Sequence, residues 1–214
     1  YHYFMISKWL KDSFIQRYLI IAFGFSWLMW IGAWVLSKVT ANSDILINAE
    51  FVKSLIDSSS VVGGTLIFSL LSLLGVYGPM LGAYLTAKND PDVSWKEIRQ
   101  SSFHYKTSSK KYFMIALSIL GIIIVPTLLL TALMSEVKAD APSLGGTISL
   151  VVVFFIFQIF TSGLEEVGWR GYLLSKVKSN INFWDAGWNT GFIWAVWHYP
   201  IVIMIFWQQG FAPP

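Results

Sequence analysis

The sequence has no cysteine, little charge and no internal repeat. Without cysteine there are no disulfides and no thiolate zinc sites, although the compartment stays open. Asp, Glu, Lys and Arg together supply only 13% of 214 residues, where a soluble domain carries roughly 25%. Also missing are the H-E-x-x-H helix of zinc metalloproteases and a G-x-S-x-G elbow around Ser162. No low-complexity tract is present, and no signal-peptide cleavage pattern, because the first apolar run is too long for one. What fills the chain is apolar: hydrophobic residues make up 55%, with 11 Trp and 16 Phe. This composition predicts a membrane protein.

The apolar runs divide the chain into an all-α, polytopic transmembrane bundle with about five spans. Residues 1–17 interleave Trp9, Leu10, Phe14 and Ile15 with Lys8, Lys11 and Arg17. They read equally as an interfacial helix or as the solvated start of the first span. Tyr18–Leu36 has no charge over its length, enough to cross a core of about 30 Å. Val61–Leu85 is the second span, with Gly75, Gly78 and Gly82 for close helix approach and Pro79 for a kink. Tyr112–Met134, Ile148–Leu174 and Trp188–Trp207 follow as spans three to five. The organisation expected is residues 1–147, an N-terminal segment with three spans, then 148–214, which carry the unusual polar residues. The loops on the N-terminal side hold eleven Lys and Arg against three on the other, which predicts a cytoplasmic N-terminus. His104, in the most basic loop, is expected to face solvent.

Two ionisable clusters interrupt the apolar surroundings. Gly163-Leu164-Glu165-Glu166-Val167-Gly168-Trp169-Arg170-Gly171 sits in span four, and Trp194-Ala195-Val196-Trp197-His198-Tyr199-Pro200 in span five. A charge at bilayer depth costs roughly 2.5–3.5 kcal/mol on insertion scales, so such groups are normally kept for function. On a helix Glu165 and Glu166 lie about 100° apart and take different tasks. Glu166 and Arg170 have the i,i+4 spacing of an ion pair, leaving Glu165 to face another element. Gln158, Ser162 and Glu165 form a polar stripe. In span five Gly191, Ala195 and His198 share a spacing that leaves room before the imidazole, and Pro200 frees a carbonyl near Val196. Counting about 1.5 Å per residue from Trp188 places His198 about 15 Å deep. A carboxylate and a histidine facing one cavity can activate water, the Glu taking the proton. Trp194 and Trp197 read, by themselves, as packing or interfacial aromatics.

At these residues the sequence resembles the type II CAAX prenyl endopeptidases, the Abi or CAAX protease and bacteriocin-processing family of intramembrane proteases. Glu165-Glu166-Val167-Gly168-Trp169-Arg170-Gly171-Tyr172-Leu173 matches the family's first motif throughout. Trp194 to His198 matches the second, with Trp where Phe is commoner, and Gly78-Pro79 is also found in the family. The resemblance implies a prokaryotic integral membrane protease cutting peptide bonds near the cytoplasmic face, on CAAX-type, prenylated or amphipathic substrates. It implies Glu165 as general base, His198 as its partner, and Glu166, Arg170 and Trp194 in support. If the reaction is metal-dependent, Glu165, Glu166 and His198 are the ligands and Zn2+ the ion. No nucleic-acid partner is expected; lipids and a peptide substrate are. The family's third motif, a His followed four residues later by Asn, is missing. The chain, which begins at Tyr1 and stops at Pro214, is therefore expected to be truncated before the last family helices. The competing readings are a membrane scaffold that kept the fold, such as a bacteriocin-immunity or signalling partner, and a proton-coupled transporter. Intact Glu165, Glu166, Arg170 and His198 favour hydrolysis over the scaffold. The lack of inverted halves disfavours the transporter.

Overall fold

The computed structural model describes residues 9–39, 63–103, 152–153 and 155–208, with isolated helical positions at 110, 114, 115, 118, 122 and 126. The described secondary structure is helical throughout. In chain order the elements are α1 (Ser13–Val39), α2 (Gly63–Val76), α3 (Gly78–Ala87) and α4 (Trp95–Phe103). They are followed by α5 (Ser162–Glu166), a π-helical segment (Val167–Leu173), α6 (Leu174–Lys178), α7 (Phe183–Trp197) and α8 (Tyr199–Gln208). The chain forms two compact units, one of Tyr1–Ser102 with Ile159–Pro214, the other of Phe103–Gln158. In the second unit only scattered helical positions are described, so span three (Tyr112–Met134) falls largely outside the described residues. His104 and the start of span four at Ile148 lie outside them too.

The first unit is built along α1. Its helix starts earlier than Tyr18 because the Asp12 carboxylate accepts the Phe14 backbone N–H at 2.8 Å, capping the first turn. Residues 13–17 are thus the opening turn of the span. Ile15, Tyr18, Ala22, Ser26, Trp30 and Ala33 form the buried stripe, at spacings of three and four. Ile20, Leu28, Ile31 and Val35 stay exposed on the other side. A helix buried on a narrow face and apolar on the rest suits a lipid environment. From Ser13 to Leu36 it spans 24 residues, or about 36 Å.

The expected kink at Pro79 is present. The backbone turns at Tyr77, and the axes of 67–76 and 78–87 differ by 47°. Proline supplies no N–H for the ladder, which is why the chain bends here. The bend lays α3 along α1; α3 packs on the π-helical segment, and Tyr18 of α1 meets its Trp169 and Tyr172 rings. Among the described residues one helix, α1, is long and apolar enough to cross a membrane, and a second crossing is available if the bent pair acts as one span. The regions expected as spans four and five are divided. A turn at Thr161, with φ −103° and ψ −90°, precedes α5, and a turn at His198 separates α7 from α8.

The loop before span five is shorter than its basic residues suggest. Helix continues to Lys178 and resumes at Phe183, because the Asn182 side chain accepts the Asp185 N–H at 3.0 Å. The core is aromatic: Trp169 packs edge-on against Tyr18 at 5.8 Å and against Trp197 at 5.5 Å, and Trp197 meets Trp30 at 4.6 Å.

Candidate active site on the broken helices

Trp169 is completely buried and anchors the first motif in that aromatic core. Around it the backbone widens from α to π over Val167–Leu173. π-helical turns are rare and recur at functional sites. Gly168 lies directly against Pro79, where a side chain would strike the Pro79 backbone. The first motif and the bend of α3 are therefore fitted to each other through a residue without Cβ.

The two adjacent glutamates separate as the helical spacing requires. Glu165 is 6% exposed and faces inward. Glu166 pairs with the exposed Arg170, and Arg170 also acts electrostatically on Glu165. The polar stripe of Gln158, Ser162 and Glu165 does not persist: the turn at Thr161 interrupts it, and Ser162 is exposed while Glu165 is buried.

His198 sits in the turn between α7 and α8. Its backbone N–H bonds to Ala195 and Val196 carbonyls, as a tightened last turn does. The Trp194 carbonyl, freed by that tightening, is 2.9 Å from His198 Nδ1. A carbonyl only accepts, so Nδ1 carries the proton, and the tautomer this selects has its lone pair on Nε2. The ring lies edge-on to Trp194 and Trp197, at 4.5 and 4.7 Å. The break also serves α1: the Trp27 indole donates to the Trp197 carbonyl at 3.0 Å. The side of α7 leading to His198 is open, and Gly187, Gly191 and Ala195 with Phe183, Trp184, Trp188 and Phe192 line an apolar groove of ≈550 Å³.

Glu165 and His198 share no hydrogen bond with each other among the described residues. The zinc alternative needs Glu165, Glu166 and His198 to converge. Among the described residues no group of three or more His, Cys, Asp or Glu is placed to hold a metal ion. As placed here, the three do not converge as a ligand set.

Sequence reasoning missed a second polar centre. Lys176, which falls in the stretch between the expected spans four and five, is buried, and its ammonium donates to Asp90 and Asp92 at 2.7 Å each. Asp12 lies 3.7 Å away, and Tyr172 donates its hydroxyl to Asp90 at 2.6 Å. Burial pushes the Asp90 carboxyl up, but the bonds from Lys176 and Tyr172 more than offset it, holding it below its ordinary range. Burial likewise opposes the charge on Lys176, and the bonds to Asp90 and Asp92 outweigh that, raising its pKa. The available signal was Asp90-Pro91-Asp92, two acids in an otherwise basic stretch. This cluster ties the end of the motif helix to α1 and to the loop after α3.

Residues 147–212 match the family model described as type II CAAX prenyl endopeptidase, Rce1-like. Over that segment the chain is similar to the Rce1-like type II CAAX prenyl endopeptidases. A curated protein, CAAX prenyl protease 2 of Methanococcus maripaludis, is 24% identical over 158 residues, covering 72% of this chain and 57% of the relative. The chain thus spans little more than half of that protein's length. No solved structure gives a significant match. The Rce1-like segment contains Glu165, Glu166, Arg170, Trp194 and His198, every residue of the site described above.

Proposed function

We propose that the chain carries the water-activating half of an intramembrane endopeptidase. The observation that carries this reading is the inward-facing, buried Glu165 together with His198, oriented by the Trp194 carbonyl, inside the segment that matches the Rce1-like family. Glu165 removes a proton from water, and the resulting hydroxide adds to the scissile carbonyl carbon. His198 accepts a hydrogen bond from that water at Nε2 and so aims its oxygen. The tetrahedral intermediate collapses with cleavage of the C–N bond, and protonated Glu165 returns the proton to the leaving amine. Glu166 and Arg170 neutralise each other beside the base. The substrate is a peptide with an apolar or prenylated portion, reached from the cytoplasmic side of a prokaryotic cell membrane. The N-terminus lies on that side, and the bundle has about five spans, of which 148–214 carry the reactive groups.

Cleavage of quenched peptides, prenylated and unprenylated, by the full-length protein in liposomes tests this. Glu165→Ala and His198→Ala should each lower kcat by about 10²-fold or more, the usual worth of a positioned acid–base group. A folded full-length wild-type protein that cuts neither peptide set would replace the protease with a non-catalytic membrane scaffold.

A further inference from the structure

We propose that Lys88, at the end of α3, and Lys96 and Arg99, exposed on α4, form a docking surface for the headgroups of anionic phospholipids. The inference does not depend on the hydrolytic reading above.

In sequence the stretch from Lys88 to Arg99 is neutral, with Asp90, Asp92 and Glu97 against its three bases. The fold sorts those charges by partner. Asp90 and Asp92 both accept from the Lys176 ammonium. Glu97 turns back to the start of its own helix, where it accepts the Ser94 backbone N–H at 3.0 Å and the Ser94 hydroxyl at 2.9 Å, as in a capping box. Lys88, Lys96 and Arg99 are exposed, and none of them has an ion pair among the described residues. The acids are engaged and the bases are not. Their place in the fold makes the partner a lipid. The apolar half-span α3 ends at Ala87, and Tyr84 in its last turn is exposed. Lys88 Nζ lies 4.2 Å over the Tyr84 ring, and Trp95 stands edge-on to that ring at 5.2 Å. Tyrosine and tryptophan at the end of an apolar helix settle at headgroup level, and a lysine there lays its stem on apolar surface with the ammonium in the polar layer. Lys96 and Arg99 are neighbours on one side of α4. A guanidinium holds a phosphate through two parallel N–H groups, and the lysines add point charges. α4 is seated by Ile98, packed so close to Gly171 that a methyl there would meet it at 2.9 Å. A headgroup held by Lys96 or Arg99 is thus one helix away from the residue that follows Arg170.

The absence of cysteine gives a direct test. Gln100→Cys, exposed on α4, takes a single nitrobenzoxadiazole label in the full-length protein. The labelled protein is placed in phosphatidylcholine liposomes that carry a small fraction of doxyl-labelled phosphatidylglycerol or, separately, of doxyl-labelled phosphatidylcholine. The phosphatidylglycerol quencher should act more strongly at equal mole fraction. That preference should fall about fivefold for each base removed, the worth of one Lys or Arg near an anionic surface. Lys88→Gln, Lys96→Gln and Arg99→Gln together should abolish it. Lys11→Gln, Arg17→Gln and Lys178→Gln together remove the same charge from three exposed bases elsewhere and should leave it in place. Equal quenching by the two lipids in the protein with all its bases overturns the proposal. So does an equal loss in the two triple variants, which would assign the preference to net charge. Relief of the quenching by glycerol phosphate in solution would also overturn it, making the ligand a soluble phosphate ester in place of a lipid.

Discussion

Removing the Lys176 ammonium strands the Asp90 carboxylate, whose side chain is fully buried. Breaking a buried pair from one side costs about 3–5 kcal/mol, whereas replacing both partners with apolar groups is often neutral. Lys176→Met should therefore unfold the chain at markedly lower denaturant, and Asp90→Leu combined with Lys176→Met should recover much of the loss. Equal instability of single and double variants would remove the pairing argument. The pH dependence has a definite sign. Asp90 titrates below its ordinary value of 3.8, so its stabilising contribution is fully present above 3.8. It is lost as pH falls through the lower folded value. Unfolding curves of Asp90→Asn should lack that acid limb. Tyr18 offers the opposite case: its hydroxyl is buried with no hydrogen-bond partner among the described residues. Tyr18→Phe should leave thermal stability unchanged or higher, since the unpaired hydroxyl is already costing desolvation energy; a loss above about 1 kcal/mol would mean the hydroxyl is satisfied. The division of labour between Glu165 and Glu166 was legible in the sequence, because a 100° step on any helix separates neighbours. The burial of Lys176 was not, because a lysine beside an apolar run reads equally well as a solvated loop charge.

Among the elements, the breaks were half legible. Pro79 and Pro200 announce missing N–H donors, and the chain bends just before both. The turn at Thr161 carries no such mark, and neither does the π-helical stretch, which follows from packing around Trp169 and Gly168 more than from any local preference. Gly168→Ala tests that fit. The neighbour of an added methyl is Pro79 backbone, which cannot rotate away, so the cost should be the 1–3 kcal/mol or so of overpacking. Gly191→Ala serves as the control, since a methyl there meets open space. Helix propensity alone makes Gly191→Ala slightly stabilising. Comparable losses in both variants would deny Gly168 any special contact.

For the whole molecule, composition pointed to a membrane, and the described residues supply one helix suited to crossing it. Leu28 lies on the exposed apolar side of that helix. Leu28→Lys should disfavour insertion by about 3–4 kcal/mol, the difference between leucine and lysine near a helix centre, as read by a glycosylation-reporter insertion assay. Unchanged insertion would place that face in water or against another polar surface. The all-helical character was legible throughout, because long apolar runs leave little else to build, whereas the division of the motif-bearing regions into short helices depends on contacts made by distant residues. Those distances have a consequence for biosynthesis. Lys176 lies 86 residues downstream of the Asp90 it neutralises. At about 5–20 residues per second, a ribosome leaves that acid without its counter-charge for roughly 4–17 s. Through that interval the earlier helices have to be kept from settling around a bare carboxylate, so the order of synthesis makes the final closure of the first unit a late event, waiting on the segment that bears the glutamates.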